Sequence, residues 1–426
     1  MEHTSRKHTT LLQTVLPIIW CLAFLVLLVL QTAGQSNPLV LPTISMVDAN
    51  SNGLILKGDR SAWERYCTKM DKVLLDGTGQ INIVQVGGSH IQADMWSAEL
   101  RERFQTAVPG VRGGRGFIYP YTMSKTNNPY WYKPEYTGRW TSVKNLQREG
   151  TQELGLAGYA VTTTDPSTTL DITFRGDIYP GSTFNRVKVL HGKANQFRVS
   201  AWSNDTTIQM ETSEMESYTE IQFDRYMDTL HLRFDRTDST QQQFTLKGLI
   251  LESDDPGFFY HATGVNGAST TSWLRCPEFS NELALVKPDL VVFSIGINDA
   301  HDPDFSTDRY LKNYEQLISE VVEAAPNAAI LLTTNTDSYM ARKYPNKNGA
   351  AVRDVMLELS RKHGCVVWDT WNVMGGKGSI AQWSDAGLAK ADRIHFTRAG
   401  YVALGDLLFS SIMDAYGDHI RSTYRP

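Results

Sequence analysis

The hydrophobic period of this 426-residue chain changes twice, and that change restricts the fold more than any other feature. Between about residue 130 and residue 253 helical spacing disappears. Short alternating segments take its place, among them "TLDITF", "RVKVLH", "TLHLRF" and "FTLKGLIL", separated by clusters of Asp, Gly, Asn, Ser and Pro. Short strands at that spacing predict an all-β sandwich or jelly roll. On either side the rhythm is α/β. In "SAWERYCTKMDKVLLDG" the residues Trp63, Cys67, Met70 and Val73 or Leu74 share one helical face, and Asp76-Gly77 ends the pattern. "INIVQV" reads as a buried strand and "DMWSAELRERF" as a helix. Beyond residue 254, "ALVKPDLVVFSIG", "DRYLKNYEQLISEVVEAA", "AAILLTTN", "AAVRDVMLELSRKHG", "CVVWDT" and "RAGYVALGDLLFSSIMDAY" alternate strand with helix. Such alternation predicts a doubly wound parallel sheet. The expected organisation is therefore an α/β domain in two pieces, residues 53–128 and 255–426, interrupted by a β-sandwich over residues 129–254.

The first residues read differently. Arg6 and Lys7 precede an uncharged apolar run from Leu11 to Leu30, followed by "QTAGQSNP". The run is long enough to span a hydrocarbon core of roughly 30 Å, and Thr32, Ala33 and Gly34 suit the cleavage site of a secretory signal. Residues 1–35 are thus a signal peptide or an N-terminal membrane anchor, and residues 36–52 a polar linker. Positive charge on the N-terminal side predicts export across the cytoplasmic membrane in either case, into the periplasm or cell envelope. Cys21, preceded by the bulky "PIIW", lacks a lipoprotein context.

Composition excludes other classes. Net charge is −5, and no run of Lys and Arg supplies a nucleic-acid footprint. Cys67, Cys276 and Cys365 are far apart, which predicts buried free thiols and no zinc site. His301 and Asp302 lack further ligands at a suitable spacing, so no metal is expected.

In a doubly wound sheet, ligands bind beyond the carboxyl ends of the strands. Three predicted loops lie there: "VGGSH" with Ser89, "SIGINDAHD" with Asn298 and Asp299, and "KADRIHFTRAGY" with Asp392 and His395. A serine hydroxyl becomes an effective nucleophile when a base takes its proton and a carboxylate orients that base. Asp392 and His395, three residues apart on a turn before a helix, suit the carboxylate and the base. The developing oxyanion needs aimed donors, each worth about 2.7–4 kcal/mol. The Ser89 N–H, a glycine N–H and the Asn298 amide are candidates. Taken singly, Ser89 reads first as a helix N-cap, and Asn298-Asp299 as the cap of the helix that follows.

Taken together, Ser89 in "GGSH", Gly267 in "GVNGAST", Asn298 in "GIND" and Asp392/His395 in "DRIHFT" resemble, in order and spacing, the four blocks of the SGNH (GDSL-type) hydrolases. The resemblance implies a flavodoxin-like three-layer α/β/α fold. It also implies Ser89 as nucleophile, Asp392 and His395 as the acid–base pair, and Ser89, Gly267 and Asn298 as the oxyanion hole. "GSHIQAD", "GGRGFIYP", the β-rich insert before "GVNGA" and "WDTWNVMGGKGSIAQW" resemble more narrowly the exported bacterial peptidoglycan O-acetylesterases, in which a carbohydrate-binding-like jelly roll interrupts the SGNH domain. That likeness implies a serine esterase that removes O-acetyl groups from a cell-wall glycan without a cofactor. Gly88 departs from the family's Gly-Asp-Ser, which puts the rigidity of the nucleophile loop in question. The same residues also suit an O-acyltransferase, a deacetylase of another polysaccharide, or a binding protein with an impaired site. His90, Gln92 and Asp94, close to the nucleophile, are candidate sugar contacts or loop braces, and Asp299 is a further candidate substrate contact. The aromatic stretch "NPYWYKPEYTGRW" is expected in packing more than in sugar stacking.

Overall fold

The computed structural model describes residues 44–175, 183–193 and 196–424. The apolar run Leu11–Leu30, Cys21 and residues 36–43 of the expected linker lie outside the described residues. Residues 44–52, the rest of that linker, are docked against the fold. Asn52 is buried; its Nδ2 donates to the Leu407 carbonyl, and its Oδ1 accepts from Trp368 Nε1 and Ser411 Oγ. A buried amide satisfied on both sides holds this stretch to the domain.

Seven strands build the α/β sheet: β1 (Leu54–Ile55), β2 (Gln80–Gly87), β3 (Arg112–Gly114), β4 (Gly257–Gly264), β5 (Leu290–Ser294), β6 (Ala329–Thr333) and β7 (Val366–Trp368). Their order is β1-β7-β6-β5-β2-β4-β3, and every pairing is parallel except β1 with β7. Apolar runs such as Val291–Phe293 and Ile330–Leu332 suit strands covered on both faces. One helical layer holds α1 (Ser61–Leu74), α2 (Trp96–Gln105) and the C-terminal α6 (Arg398–Thr423). The opposite layer holds α3 (Phe279–Val286), α4 (Thr307–Ala324) and α5 (Gly349–His363). The buried face of α1 comprises Trp63, Tyr66, Cys67, Met70, Asp71 and Val73, as its helical spacing predicts. Each fully buried side chain of this size contributes about 1.5–3 kcal/mol. Cys67, Cys276 and Cys365 are buried and unpaired, and among the described residues no helix is long and apolar enough to cross a membrane.

Between β3 and β4 the chain forms two antiparallel sheets. One, of four strands, runs Arg198–Ala201, Thr229–Asp235, Ser167–Phe174 and Tyr132–Tyr136. The other centres on Phe244–Glu252, which pairs with Phe184–His191, with Tyr159–Thr163 and with Gly116–Ile118. Alternating side chains such as Leu170, Ile172, Leu230, Leu232 and Phe234 fill the space between the sheets. The chain therefore enters the sandwich one residue after β3 and leaves it shortly before β4. The entry strand Gly116–Ile118 and the exit strand Phe244–Glu252 pair with each other, so the sandwich joins the α/β sheet at a short double crossing.

A buried ion pair crosses this junction. Lys247, on the sandwich strand Phe244–Glu252, reaches Glu282 of α3 at 2.9 Å, and both side chains are within 3% of full burial. Burial pushes the Glu282 carboxyl above its ordinary range, against the Lys247 charge and the Leu156 N–H that donates to it. Removing one partner strands the other without solvent, at a cost of about 3–5 kcal/mol. Lys247→Met should therefore lower unfolding stability in urea by roughly that amount. A loss below about 1 kcal/mol would mean that Glu282 is accommodated as the neutral acid at little cost.

Candidate active site

Three strands fix the position of the site. Gly87 at the end of β2 is level with Gly264 of β4 on one side and Ser294 of β5 on the other. The loops that leave these strands carry Ser89, Gly267 and Asn298. Ser89 opens the short helix Ser89–Gln92, and Gly88 occupies the cap position, so the Ser89 hydroxyl is not used as a cap. It lies 2.8 Å from His395 Nε2. His395 Nδ1 is 2.9 Å from Asp392 Oδ2, while Asp392 Oδ1 accepts from the His395 and Ile394 backbone N–H groups. Burial alone would raise the Asp392 carboxyl, but these hydrogen bonds and the neighbouring imidazole outweigh it and hold the group below its ordinary range. An ionised Asp392 keeps the His395 proton on Nδ1, which leaves the Nε2 lone pair for the serine hydroxyl.

The loop of Asp392 and His395 is itself tightly tied. Ala389 and Phe396 form a β-bridge, Lys390 N–H donates to the His395 carbonyl, and Thr397 caps α6 by accepting from Gly400. These bonds set the ring opposite Ser89 although 306 residues separate the two.

Donors converge from the other two loops. Gly267 adopts φ +83°, a conformation that favours glycine, and its N–H, like that of Ser89, has no hydrogen-bond partner among the described residues. Gly264, by contrast, is spent in the sheet, aligned with Gly87. Asn298 is inside the short helix Ile297–Ala300 rather than at its cap, which Gly296 occupies. Its Nδ2 donates 2.8 Å to the Ala268 carbonyl, and an amide nitrogen carries a second hydrogen. Ser89, Gly267, Asn298 and His395 line one open cleft of about 650 Å³ together with Met95, Asn127, Asn266, Ile297, His301, Lys390 and Ile394. A hydroxyl, a base held by a carboxylate and unpaired donors across a cleft suit attack on an ester carbonyl.

The candidate substrate contacts are placed elsewhere. His90 is buried behind the site: its Nδ1 is 2.8 Å from the Tyr401 hydroxyl and its ring 5.3 Å from that of His395. Burial, with the nearby His395, pulls its pKa down to about 3, so it stays neutral beside an imidazolium. Asp94 is buried between Arg101, at 3.1 Å, and Arg115; burial would raise its carboxyl, but the two guanidinium charges hold it low. Asp299 accepts from both the N–H and the hydroxyl of Thr270 and is mostly buried. None of the three lines the cleft around Ser89. In each case the short sequence distance to a site residue points inward, because the loop that exposes Ser89 and Asn298 buries their neighbours. Gln92 is a brace: its Oε1 accepts from Tyr159 and from Asn266 N–H, and its Nε2 donates to Thr126 and the Asn127 carbonyl. Asn127, Asn266 and Lys390 are cleft residues that no sequence pattern singled out. Asn266 in "GVNGAST" and Lys390 in "KADRIHFTRAGY" belong to the loops already marked by their motifs, which is the available signal. Among the described residues no group of His, Cys, Asp and Glu is arranged to hold a metal ion. In the aromatic stretch, Trp131 and Tyr132 are core, Tyr130 is exposed against the Arg175 guanidinium, and Trp140 is half-buried.

Residues 246–403 match the GDSL-like lipase/acylhydrolase family. The match starts inside the last sandwich strand, so it contains Gly267, Asn298, Asp392 and His395, while Ser89 precedes it. No curated protein sequence matches the chain. Among solved structures, one of a peptidoglycan O-acetylesterase superposes with a TM-score of 0.71 at 22% identity, covering 86% of this chain and 99% of that one. At this identity the likeness establishes the fold, an SGNH-type α/β/α sheet with an inserted β unit. A lipase/acylhydrolase from Enterococcus faecalis is 24% identical over 38% of this chain and 77% of that one, with a TM-score of 0.31. An acetylxylan esterase variant from Geobacillus stearothermophilus is 20% identical over 37% of this chain and 74% of that one, also at 0.31.

Two outcomes test this geometry. A Cβ at Gly88 would be 3.2 Å from Asn298 Nδ2, while φ there, −95°, is outside the left-handed region that demands glycine. Gly88→Ala should fold and displace the amide by a few tenths of an ångström. On a short aryl acetate kcat should then fall roughly tenfold with KM little changed, part of the 10²–10³ that a lost oxyanion donor costs; an unchanged kcat would remove Asn298 from that role. His90 tests the protonation argument. Its lowered folded-state pKa means that the unfolded chain binds the extra proton first as pH falls below about 6.5. Its contribution is complete above that pH and is lost toward pH 3, by up to about 1.4 kcal/mol per unit. His90→Phe should flatten the pH dependence of unfolding stability between about pH 6 and 3.5 by that slope.

Proposed function

We propose that this chain, which carries a GDSL-like lipase/acylhydrolase domain over residues 246–403, removes O-acetyl groups from a cell-wall glycan through a Ser-His-Asp triad. It is a carboxylic ester hydrolase, and the observation that carries the triad is the unbroken line of hydrogen bonds from Ser89 through His395 to Asp392, opening on the cleft. His395 Nε2 takes the Ser89 proton as Oγ attacks the acetyl carbonyl. The tetrahedral oxyanion forms opposite the Ser89 and Gly267 N–H groups and the Asn298 amide. Collapse breaks the ester C–O bond, and the proton on His395 passes to the departing sugar oxygen. The acetyl-enzyme is then attacked by water, whose proton His395 accepts, and the second collapse returns that proton to Ser89 and releases acetate. His395 carries positive charge in each step beside a buried, neutral His90 and an ionised Asp392, so its charge has a stabilising carboxylate in direct contact.

The glycan reading has two supports. The likeness to the structure of a peptidoglycan O-acetylesterase extends over the inserted sandwich as well as the α/β sheet, since it covers 86% of this chain. The Leu11–Leu30 run, with Arg6 and Lys7 before it, favours delivery to the periplasm or cell envelope, where such a polymer lies. Purified enzyme should release acetate from O-acetylated peptidoglycan. Ser89→Ala should lower that rate by at least about 10³-fold, and Asp392→Asn by roughly 10²- to 10⁴-fold. A fluorophosphonate should add its mass to Ser89 in the native protein only. Full acetate release by Ser89→Ala would reject the triad, and activity on aryl acetates without any on the polymer would reject the glycan.

A further inference from the structure

A second cavity of about 520 Å³, lined wholly by the segment inserted between β3 and β4, lies beside the cleft. Its walls come from the turn at Ser124–Thr126 and from the strand Thr141–Lys144, with Trp140, Gln147 and Tyr159 closing it. The two cavities share a built partition. Thr126 lines the second and Asn127 the first; both accept from Gln92 Nε2, and both accept from Asn266 Nδ2. Tyr159 lines the second cavity and donates to Gln92 Oε1, which also receives the Asn266 N–H. Sequence neighbours across this wall therefore face Ser89 on one side and the second cavity on the other.

The charge of this cavity is one-sided. Lys125 and Lys144 line it, and no Asp or Glu does. Neither ammonium has an ion-pair partner among the described residues, whereas Lys188 pairs with Glu252 and Arg139 with Asp165 elsewhere in the sandwich. Lys125 is held out by a left-handed backbone, φ 55°, which is an unfavourable conformation for a lysine and sets its side chain at the rim. Trp140 donates its N–H to the Thr137 carbonyl, packs its ring against Phe234 and Phe244 of the sandwich core, and lines the cavity with the part left half-exposed. Two uncompensated cations beside an indole suit a sugar ring bearing, or joined to, a carboxylate.

We propose that this cavity is a second subsite for the polymer whose ester lies at Ser89, and that Lys125 and Lys144 select strands carrying carboxylates. The inference rests on the glycan esterase reading and deepens it. The carboxylate has two sources in a cell-wall strand, the stem peptide or the lactyl group of the sugar freed of its peptide.

Binding, which does not depend on turnover, tests the subsite separately from the esterase. Three soluble probes suffice: glycan strands with stem peptides, strands denuded of them by an amidase, and neutral N-acetylglucosamine oligomers of matched length. The native protein should bind at least one carboxylated probe more tightly than the neutral one. In Lys125→Gln/Lys144→Gln that preference should shrink about five- to tenfold, the size expected for two solvent-accessible ion pairs, and its dependence on salt should weaken. The carboxylated probe that loses more identifies the source. Equal binding of all three probes by the native protein, or an undiminished preference in the double variant, would overturn the proposal. Acetate release from an aryl acetate, measured in parallel, reports whether the esterase holds.

Discussion

At Gly87 three strands of the parallel sheet finish on one level, and the site depends on that register. A Cβ there would stand 2.3 Å from Ile91 Cγ1 and 3.0 Å from the Ser294 carbonyl, so glycine alone lets the short helix that Ser89 opens fold back over the end of β2 against β4. The Gly87 carbonyl also accepts from Val265 N–H and from Trp273 Nε1, which ties the loop carrying Gly267 to the same point. A slip of one residue in any of these parallel pairings would turn every side chain of that strand to the other face. It would also separate the hydroxyl from its donors. The sheet order places β4 and β5 on opposite sides of β2, which is the reversal of winding where open α/β sheets bind ligands.

The inserted sandwich leaves this register undisturbed because it is attached where the sheet can tolerate a long excursion. The chain departs from the edge strand β3 and returns to β4, the next strand inward, so both crossings lie away from β5, β6 and β7. The two domains nevertheless share a core. Tyr159, Leu190 and Ile250 of the sandwich belong to the same buried cluster as Val265, Phe279 and Leu283 of the α/β domain. The buried Lys247–Glu282 pair crosses within that cluster and has geometric requirements that plain apolar packing would not impose. A rigid junction of this kind is what allows a turn at residues 124–127 to serve as a wall of a cleft built by another domain.

Much of this architecture was visible in the sequence, because it is written in periods. The return of helical spacing after residue 254 marks where the chain leaves the sandwich, whereas its loss after residue 130 comes a dozen residues late, because the short strand Gly116–Ile118 already pairs with Phe244–Glu252 and is too short to show a period. Four short motifs, each weak, also fall at the ends of three adjacent strands and on the loop before α6. What the sequence did not disclose was direction. His90, Asp94 and Asp299 stand within five residues of Ser89 or next to Asn298, yet their side chains face inward, to Tyr401, to two arginines and to Thr270. Whether a polar residue on a tight turn points to solvent or to the core is decided by partners far along the chain, and no local pattern records them. The same holds for Asn127, whose place in the cleft depends on the docking of the sandwich.

The absence of the family aspartate at position 88 acquires a physical meaning in this setting. A Cβ at this position would be 3.2 Å from the Asn298 amide nitrogen, close enough that the amide would have to give by a few tenths of an ångström, with the Ala268 and Val265 carbonyls at ordinary contact distance. The loop is held instead by other bonds. Gly88 accepts from the Ile91 and Gln92 N–H groups, Gln92 carries four polar contacts into the sandwich and the loop of Gly267, and Gly87 is fixed in the sheet. Rigidity that one carboxylate would supply locally is here distributed over a network that includes the inserted domain, so in this chain the sandwich is part of what holds the nucleophile still.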